Sequence, residues 1–208
     1  MNRMMLVLAC GLALFAPVAC KIVKTAPKAD GQAADPDAAL IAGIVADTYD
    51  AKLRPLILSG ATPATTLLPA IAADLATAGA AHGTRGGGEG GSWTFAITGQ
   101  GVVTAENRTS RAARLEVDVT GDGKPDLTLQ LGPVIKGTAL RDVAPFYVFT
   151  DFRDQIQFAL LARALNDRAS ADLALPDALI GKTLTFTCVF AIQSARDPVL
   201  VVPLTVTP

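Results

Sequence analysis

The chain has 208 residues, half of them hydrophobic, and its 18 basic and 19 acidic side chains leave a formal net charge of −1. A domain of this size buries enough apolar surface to fold without disulfides or metals. The balanced charge excludes the basic surface that nucleic-acid binding needs, and the presence of one histidine, His82, excludes a multi-histidine metal site.

The first 20 residues have the layout of a bacterial secretory signal that ends in a cysteine. Arg3 provides a positive start, residues 4–15 form an apolar run, and small residues lead to Cys20. Such a signal is cleaved so that the cysteine becomes the N-terminus and receives lipid. We therefore predict a signal peptide over residues 1–19 and lipidation, with palmitate, at Cys20. The protein would be periplasmic and anchored to the cell membrane or the outer membrane.

Two features of this segment leave alternatives open. Pro17 stands where lipid-attachment signals usually have leucine, and Cys10 follows a better local match. Cleavage at Cys10 would leave too short an apolar run for export, so Cys20 is preferred. The alternative is an ordinary cleaved signal with an incidental cysteine. A membrane-spanning anchor is not expected, because a span needs about 20 apolar residues and Pro17 interrupts this stretch.

Two further segments have the composition of connectors. Residues 20–35 are polar, rich in alanine and lysine, and lack periodicity, which is typical of a flexible tether. Residues 83–91 are mostly glycine and follow a predicted helix, whereas a phosphate-binding loop precedes one. We interpret this second segment as a linker. His82 lies beside it, where a catalytic base would not be held rigidly, so no catalytic role is expected for His82.

Residues 36–82 show the apolar periodicity of two helices. The first begins at Asp35 and Pro36 and ends or kinks at Pro55; the second begins near Pro63 and ends near Gly79. We predict that these two helices form an N-terminal helical hairpin, as a unit separate from the rest of the chain.

Residues 92–208 change to the period-two alternation of strands. The predicted order is a long strand bent at residues 99–101, two more strands, a helix, and two closing strands; these elements span residues 93–107, 114–120, 127–131, 154–168, 183–192 and 199–206. This is the order of an OB-like antiparallel β-barrel with one helix between its third and fourth strands. The predicted class is therefore α+β. An open antiparallel sheet with helices on one face is the alternative.

The turn between the second and third predicted strands contains three aspartates. Asp118, Asp122 and Asp126 have the spacing of calcium loops in which carboxylates at positions 1, 5 and 9 converge on the ion. Thr120 replaces the usual ligand at position 3, and Leu129 stands where such loops have glutamate. Aspartate and glycine are also the residues that any tight hairpin turn prefers. Both interpretations stay open; no other cofactor is expected.

Several polar residues lie among apolar ones between the third strand and the following helix. These candidate ligand-binding residues are Lys136, Arg141, Asp142, Asp154 and Gln155. Arginine pairs well with a carboxylate, either from a ligand or from the protein itself. The alternatives are a binding groove and an internal polar network that fixes the irregular connection.

Four segments of the chain are similar to one known family: Gly132-Pro133-Val134-Ile135-Lys136-Gly137-Thr138-Ala139-Leu140-Arg141-Asp142, Cys20-Lys21-Ile22-Val23, Phe152-x-Asp154-Gln155-Ile156-x-Phe158-Ala159 and Ala164-Leu165-Asn166. With these segments the chain resembles a bacterial family of predicted periplasmic lipoproteins of unknown function, and the first segment is the most specific part of the resemblance. The resemblance implies secretion, lipidation at Cys20 and genes that lie near sugar-type ABC importers. It brings no established activity or catalytic residues.

Three functions are compatible with these observations. The first is a lipid-anchored accessory protein without catalysis that binds a small solute or a component of a carbohydrate ABC importer. The second is an enzyme that acts on a sugar with Asp142 and Asp154 as an acid/base pair, which requires the two carboxyl groups to face one cleft about 5–9.5 Å apart. The third is a structural envelope protein, for which no pocket is expected near Arg141.

Overall fold

The computed structural model describes residues 35–86 and 90–208. The predicted signal peptide 1–19, Cys20, the predicted tether up to residue 34 and residues 87–89 of the predicted linker lie outside the described residues. The described residues belong to one compact unit, so the predicted boundaries near residues 82 and 92 fall inside it. Within the described ranges, no helix combines the length and apolar character needed to cross a membrane.

The N-terminal part of this unit is mainly helical. Its elements are α1 (Pro36–Thr48), a π-helical turn (Tyr49–Leu53), α2 (Arg54–Gly60), a short strand β1 (Thr62–Pro63), α3 (Ala64–Ala73), α4 (Leu75–His82) and a second short strand β2 (Gly83–Arg85). Asp35 caps α1 as expected, accepting a hydrogen bond from the Asp37 N–H at 3.1 Å. Pro55 does not end the helical backbone: α2 follows directly on the π-helical turn, and this irregular turn lies where the N–H that proline lacks would otherwise donate within the helix.

The predicted second helix is divided in two at Asp74. The Asp74 carboxylate accepts hydrogen bonds from the N–H groups of Ala76 at 2.8 Å and Thr77 at 3.1 Å. It therefore acts as an N-cap that starts α4 directly after α3 ends. The hydrogen bond from the Thr77 N–H is the largest cause of the lowered pKa of Asp74, followed by those from the Thr77 hydroxyl and the Ala76 N–H.

Five longer strands form a closed barrel. They are β3 (Trp93–Asn107), β4 (Ala112–Asp118), β5 (Leu127–Pro133), β6 (Thr183–Ile192) and β7 (Leu200–Thr207). β3 pairs with β4 and with β6, β4 pairs with β5, and β6 pairs with β7, all antiparallel. A parallel pairing of β5 with β7 closes the circle. The open-sheet alternative is therefore wrong.

The long strand β3 passes from one barrel neighbour to the other near Gly101. It pairs with β6 up to Val102 and with β4 from Val102 onward. A side chain at Gly101 would place its Cβ 2.6 Å from the Asp118 carbonyl oxygen. Glycine allows this close approach, which agrees with the predicted bend at residues 99–101.

Apolar side chains occupy both sides of the strands. The barrel interior is closed by residues of α3 and α4, with Ala64, Leu67, Ile71 and Ala78 packed in one cluster with Phe95, Phe186, Phe190, Leu115 and Leu129. A second cluster covers the outer face of β3, β6 and β7 and includes Ile41, Val45, Leu53, Ile57, Leu161, Leu165, Val189, Val202 and Leu204. The two predicted hairpin arms thus lie in different clusters. They bury their apolar faces against the barrel because β6 and β7 present apolar residues on both faces.

The connection from β5 to β6 contains three helical segments. These are α5 (Ala139–Asp142), a 3₁₀ turn (Phe149–Asp151) and α6 (Gln155–Ala171). Arg153, just before α6, donates from Nη1 and Nη2 to the two carboxylate oxygens of Asp37 at 3.1 and 2.7 Å. This ion pair joins α1 to the start of α6.

Candidate functional site

A groove of about 1050 Å³ opens between β2, the connection after α5 and the first turn of α6. Its walls are mostly apolar, with a few polar groups; they are formed by Thr84, Arg85, Gly86, Arg141, Asp142, Ala144, Pro145, Tyr147, Val148, Phe149, Gln155, Ile156, Phe158 and Ala159. A concave, mainly apolar surface with a few polar groups is typical of small-molecule sites.

An ion pair between Arg141 and Asp142 lies in this groove. The Arg141 Nε donates to Asp142 Oδ1 at 2.7 Å, and Nη2 lies 2.7 Å from the same oxygen. The other carboxylate oxygen accepts a hydrogen bond from the Thr138 hydroxyl at 2.5 Å. The charge of Arg141 is therefore neutralised by its neighbour.

The Arg141 guanidinium group packs on the ring of Phe158. The Arg141 Cζ lies 3.8 Å from the centroid of the Phe158 ring, and Nη1 donates to the Phe158 carbonyl oxygen at 3.2 Å. Stacking and hydrogen bonding together orient the planar group. Arginine has five N–H donors, so these contacts leave donors available for a ligand.

The structure brings three of the five predicted ligand-binding residues together. Arg141, Asp142 and Gln155 line the groove, whereas Lys136 and Asp154 do not. The backbone of Lys136 bonds to the Gln130 side-chain amide instead, with its N–H 2.9 Å from Oε1 and its carbonyl oxygen 3.2 Å from Nε2. Lys136 thus helps to fix the connection, whereas Arg141, Asp142 and Gln155 line the groove, and ligand binding there stays a prediction.

The Asp154 side chain makes hydrogen bonds that stabilise the start of α6. Its carboxylate accepts hydrogen bonds from the Gln157 N–H at 2.9 Å, as the N-cap of α6, and from Arg153 Nε at 3.0 Å. These bonds, with that from Gln157 the larger cause, lower the pKa of Asp154. The acid/base pair of Asp142 and Asp154 is therefore not assembled in one groove.

Most of the apolar groove wall was not predicted from the sequence. Val148, Phe149 and Ile156 are large hydrophobic side chains with exposed fractions of 45, 47 and 72%. Ile156 lies two positions after the Asp154 cap, and an apolar residue at this place is the sequence feature that could have indicated an exposed apolar side chain. Thr84 and Arg85 gave no signal, because they sit in the glycine-rich stretch and reach the groove only through the pairing of β2 with β3.

The sequence pattern of a family described as predicted periplasmic lipoproteins (DUF2291) matches residues 9–207. The chain belongs to this family. The resemblance predicted from the Gly132–Asp142 run is confirmed, and the family description agrees with the predicted periplasmic location. No curated protein matches the sequence significantly.

The fold of this protein is similar to that of an OB-fold protein from Thermotoga maritima, which is known from a crystal structure. The TM-score is 0.61 at 18% sequence identity, and the similarity covers 85% of this chain and 99% of the Thermotoga chain. At this identity the similarity concerns the fold alone, and it confirms the predicted OB-like barrel.

Two aspartates of the β4–β5 turn accept hydrogen bonds from backbone N–H groups of the same turn. Asp118 accepts hydrogen bonds from the N–H groups of Gly121 at 2.6 Å and Gly123 at 2.7 Å. Asp126 accepts from those of Val119 at 2.7 Å and Thr120 at 2.9 Å. In the described part of the chain, no three acidic, histidine or cysteine side chains form a group suited to a metal ion. The geometry thus favours the hairpin-turn interpretation over the calcium loop formed by Asp118, Asp122 and Asp126.

Replacing Asp118 by asparagine is expected to destabilise the protein at pH 7. Burial raises the pKa of Asp118, but the hydrogen bonds from Gly121 and Gly123 outweigh this effect and lower it below its ordinary 3.8. A lowered folded-state pKa stabilises the fold above the ordinary value, and this stabilisation is lost as pH falls through the folded-state value. We expect the difference in urea midpoint between wild type and Asp118→Asn to be large at pH 7 and to shrink toward pH 3.

The matched control is Asp122→Asn, because Asp122 is exposed and makes one local bond, from the Lys124 N–H at 2.9 Å. It should change the midpoint little at either pH. Equal, pH-independent effects of the two variants would contradict the role given to Asp118.

Proposed function

We propose that this protein is a lipid-anchored periplasmic binding protein whose groove takes an uncharged, hydroxylated small solute such as a neutral sugar. The observation that carries the proposal is the neutralised Arg141–Asp142 pair among apolar and aromatic walls. A carboxylate oxygen accepts from a hydroxyl group, and a guanidinium donates to one, so the pair suits a hydroxyl-rich ligand without net charge. The groove also favours a binding role over a purely structural one.

Aromatic residues supply the apolar half of such a site. Phe149 lies edge-on to Phe158, with ring centroids 5.6 Å apart, and is 47% exposed. The carbon face of a sugar ring would pack on this exposed aromatic surface. Gln155, exposed at the first position of α6, would add an amide that both donates and accepts.

Titration calorimetry with a panel of glucose, galactose, ribose and sorbitol tests the proposal. The single tryptophan, Trp93, provides a second readout, because the guanidinium of the groove residue Arg85 lies 4.9 Å from its ring centroid. We expect at least one neutral probe to bind, and we expect Gln155→Ala and Arg141→Ala to weaken it about tenfold or more, equivalent to about 1.4 kcal/mol.

Gln155→Ala keeps the result interpretable, since Gln155 is exposed and its loss should leave the fold intact. Arg114→Ala is the matched control, because Arg114 is exposed on β4 and outside the groove. The proposal is wrong if no neutral probe binds, or if both groove variants, Gln155→Ala and Arg141→Ala, bind the probes as tightly as the wild type.

A protein partner is the second candidate occupant of the groove, and the 72% exposure of Ile156 favours it. We propose a component of a carbohydrate ABC importer as that partner, on the strength of the family resemblance. Affinity capture from membranes should then recover importer components with the wild type and lose them with Ile156→Asp. Recovery that is equal for both proteins would contradict docking at the groove.

A further inference from the structure

Three large apolar side chains are exposed together along the groove. Val148 and Phe149 come from the connection after α5, and Ile156 comes from the first turn of α6. All three line the groove, yet between 45 and 72% of each remains exposed. Single exposed apolar side chains are common, whereas a contiguous group of them marks an interaction surface. We call these three residues the apolar rim.

The start of the described chain lies beside the apolar rim. Asp37, in the first turn of α1, pairs with Arg153, and Arg153 Nη2 lies 2.7 Å from Asp37 Oδ2. Asp37 also accepts a hydrogen bond at 3.1 Å from Nε2 of Gln157, which lies in the same turn of α6 as Ile156. The helix α1 therefore begins on the side of the folded unit that carries the apolar rim.

The lipid anchor predicted at Cys20 is connected to this same side. Cys20 and Asp35 are 15 residues apart, and a chain of that length spans at most about 50 Å. Lipid on Cys20 would therefore confine the first turn of α1, and the apolar rim beside it, to the neighbourhood of a bilayer. A surface confined in this way docks at a high effective concentration, so a few exposed apolar side chains suffice.

The charged side chains next to the apolar rim give no attraction for anionic lipid headgroups. Arg153 is paired with Asp37 and also with Asp154, whose Oδ2 lies 3.0 Å from Arg153 Nε. Asp151, in the 3₁₀ turn, is exposed. Residues 151–154 thus carry a net negative charge, and docking on a lipid surface must depend on the burial of apolar side chains.

We propose that the apolar rim docks on the lipid bilayer that holds the anchor, so that the groove opens at the membrane surface. The inference rests on the lipid-anchored location in the proposed function, and it does not depend on the solute in the groove. Apolar side chains that dock in this way reach about 5–10 Å into the boundary between headgroups and acyl chains. Docking on a protein partner would not require the rim to lie on the anchored side.

An environment-sensitive fluorophore at position 156 tests this inference. The lipidated Ile156→Cys protein is labelled and reconstituted in phosphatidylcholine vesicles; Cys188 is fully buried and lipid occupies the Cys20 thiol, so the label reacts at position 156. We expect nitroxide lipids to quench the fluorophore, more strongly with the nitroxide near the headgroup than at the chain end. Ile180→Cys is the matched control, because Ile180 is 61% exposed and lies outside the groove; its label should stay unquenched.

A second substitution in the labelled protein tests the role of the apolar rim directly. Val148→Asp should abolish the quenching at position 156, because a carboxylate is costly to remove from water. Leu58→Asp is its control and should leave the quenching unchanged, since Leu58 is 48% exposed on α2 and lies outside the groove. Both side chains are exposed, so both variants should fold normally.

The outcomes separate docking from the anchor and from the solute. Protein that floats with the vesicles but leaves the label at position 156 unquenched would overturn docking and leave the anchor intact. Protein that does not float would overturn both. A label that is shielded in native membranes but unquenched in pure lipid would assign the rim to a protein partner and overturn the proposal. Calorimetry with neutral sugars needs no vesicles, so it tests the solute independently.

Discussion

Serine in place of Cys20 should move the protein from the membrane fraction to the soluble periplasmic fraction. Lipid is attached through the cysteine thiol, which serine lacks, and stable anchoring depends on the buried acyl chains. We expect the wild type to incorporate labelled palmitate and Cys20→Ser to incorporate none.

The other two cysteines make this test specific. Cys10→Ser is the matched control, because Cys10 belongs to the predicted signal and its loss should change neither labelling nor fractionation. Cys188 is fully buried in the barrel interior, where burial raises the pKa of its thiol. Labelling that persists in Cys20→Ser, or that disappears in Cys10→Ser, would contradict lipidation at Cys20.

Replacing Phe95 by alanine should cost about 3–5 kcal/mol of the free energy of unfolding. Phe95 is completely buried in the barrel, and it pairs across β3 and β6 with Phe190, with ring centroids 5.4 Å apart. The variant loses this apolar burial and leaves a cavity that the rigid strands cannot close. Urea unfolding monitored by circular dichroism measures the change.

Leu58→Ala on α2 is the control for this prediction. Leu58 is 48% exposed, so its truncation should change the free energy of unfolding by no more than about 0.5 kcal/mol. The barrel and the helices around it share one compact unit, and Phe95→Ala should therefore lower a single transition that includes the helical signal. A helical signal that unfolds at the wild-type midpoint would show that the two layers unfold separately.

The alternation of apolar residues predicted much of the barrel. β4 and β5 have one face in the barrel interior and one polar face, so their period-two pattern shows directly in Leu115 and Val117. β6 and β7 are apolar on both faces. Their pattern indicates strands, but it does not indicate that a second layer must cover them.

The helices show where local pattern stops being informative. Two amphipathic segments at residues 36–82 can bury their apolar faces against each other or against a sheet, and both arrangements satisfy the same periodicity. Their separation into two clusters depends on apolar residues far along the chain, such as Val189 and Val202 on the outer face and Phe186 in the interior. The sequence of residues 36–82 therefore does not predict which of these distant residues each helix packs against.

The candidate sites divide in the same way. Arg141 and Asp142 are adjacent in sequence, and their pairing was foreseeable because each offers what the other needs. The other residues that form the groove around this pair come from β2, from the connection after α5 and from α6. Likewise, Asn166 contacts Gly137 only because α6 packs on the loop that precedes it.

The sequence by itself determined the features that depend on local chemistry. These are the signal-like segment before Cys20, the helix cap at Asp35, the strand order of the barrel and the family to which the chain belongs. Only the tertiary structure decided which faces of the helices are buried and which polar residues share a cavity. The physical reason is that caps, turns and alternation are set by neighbouring residues, whereas a groove forms from surfaces that meet only after the barrel closes.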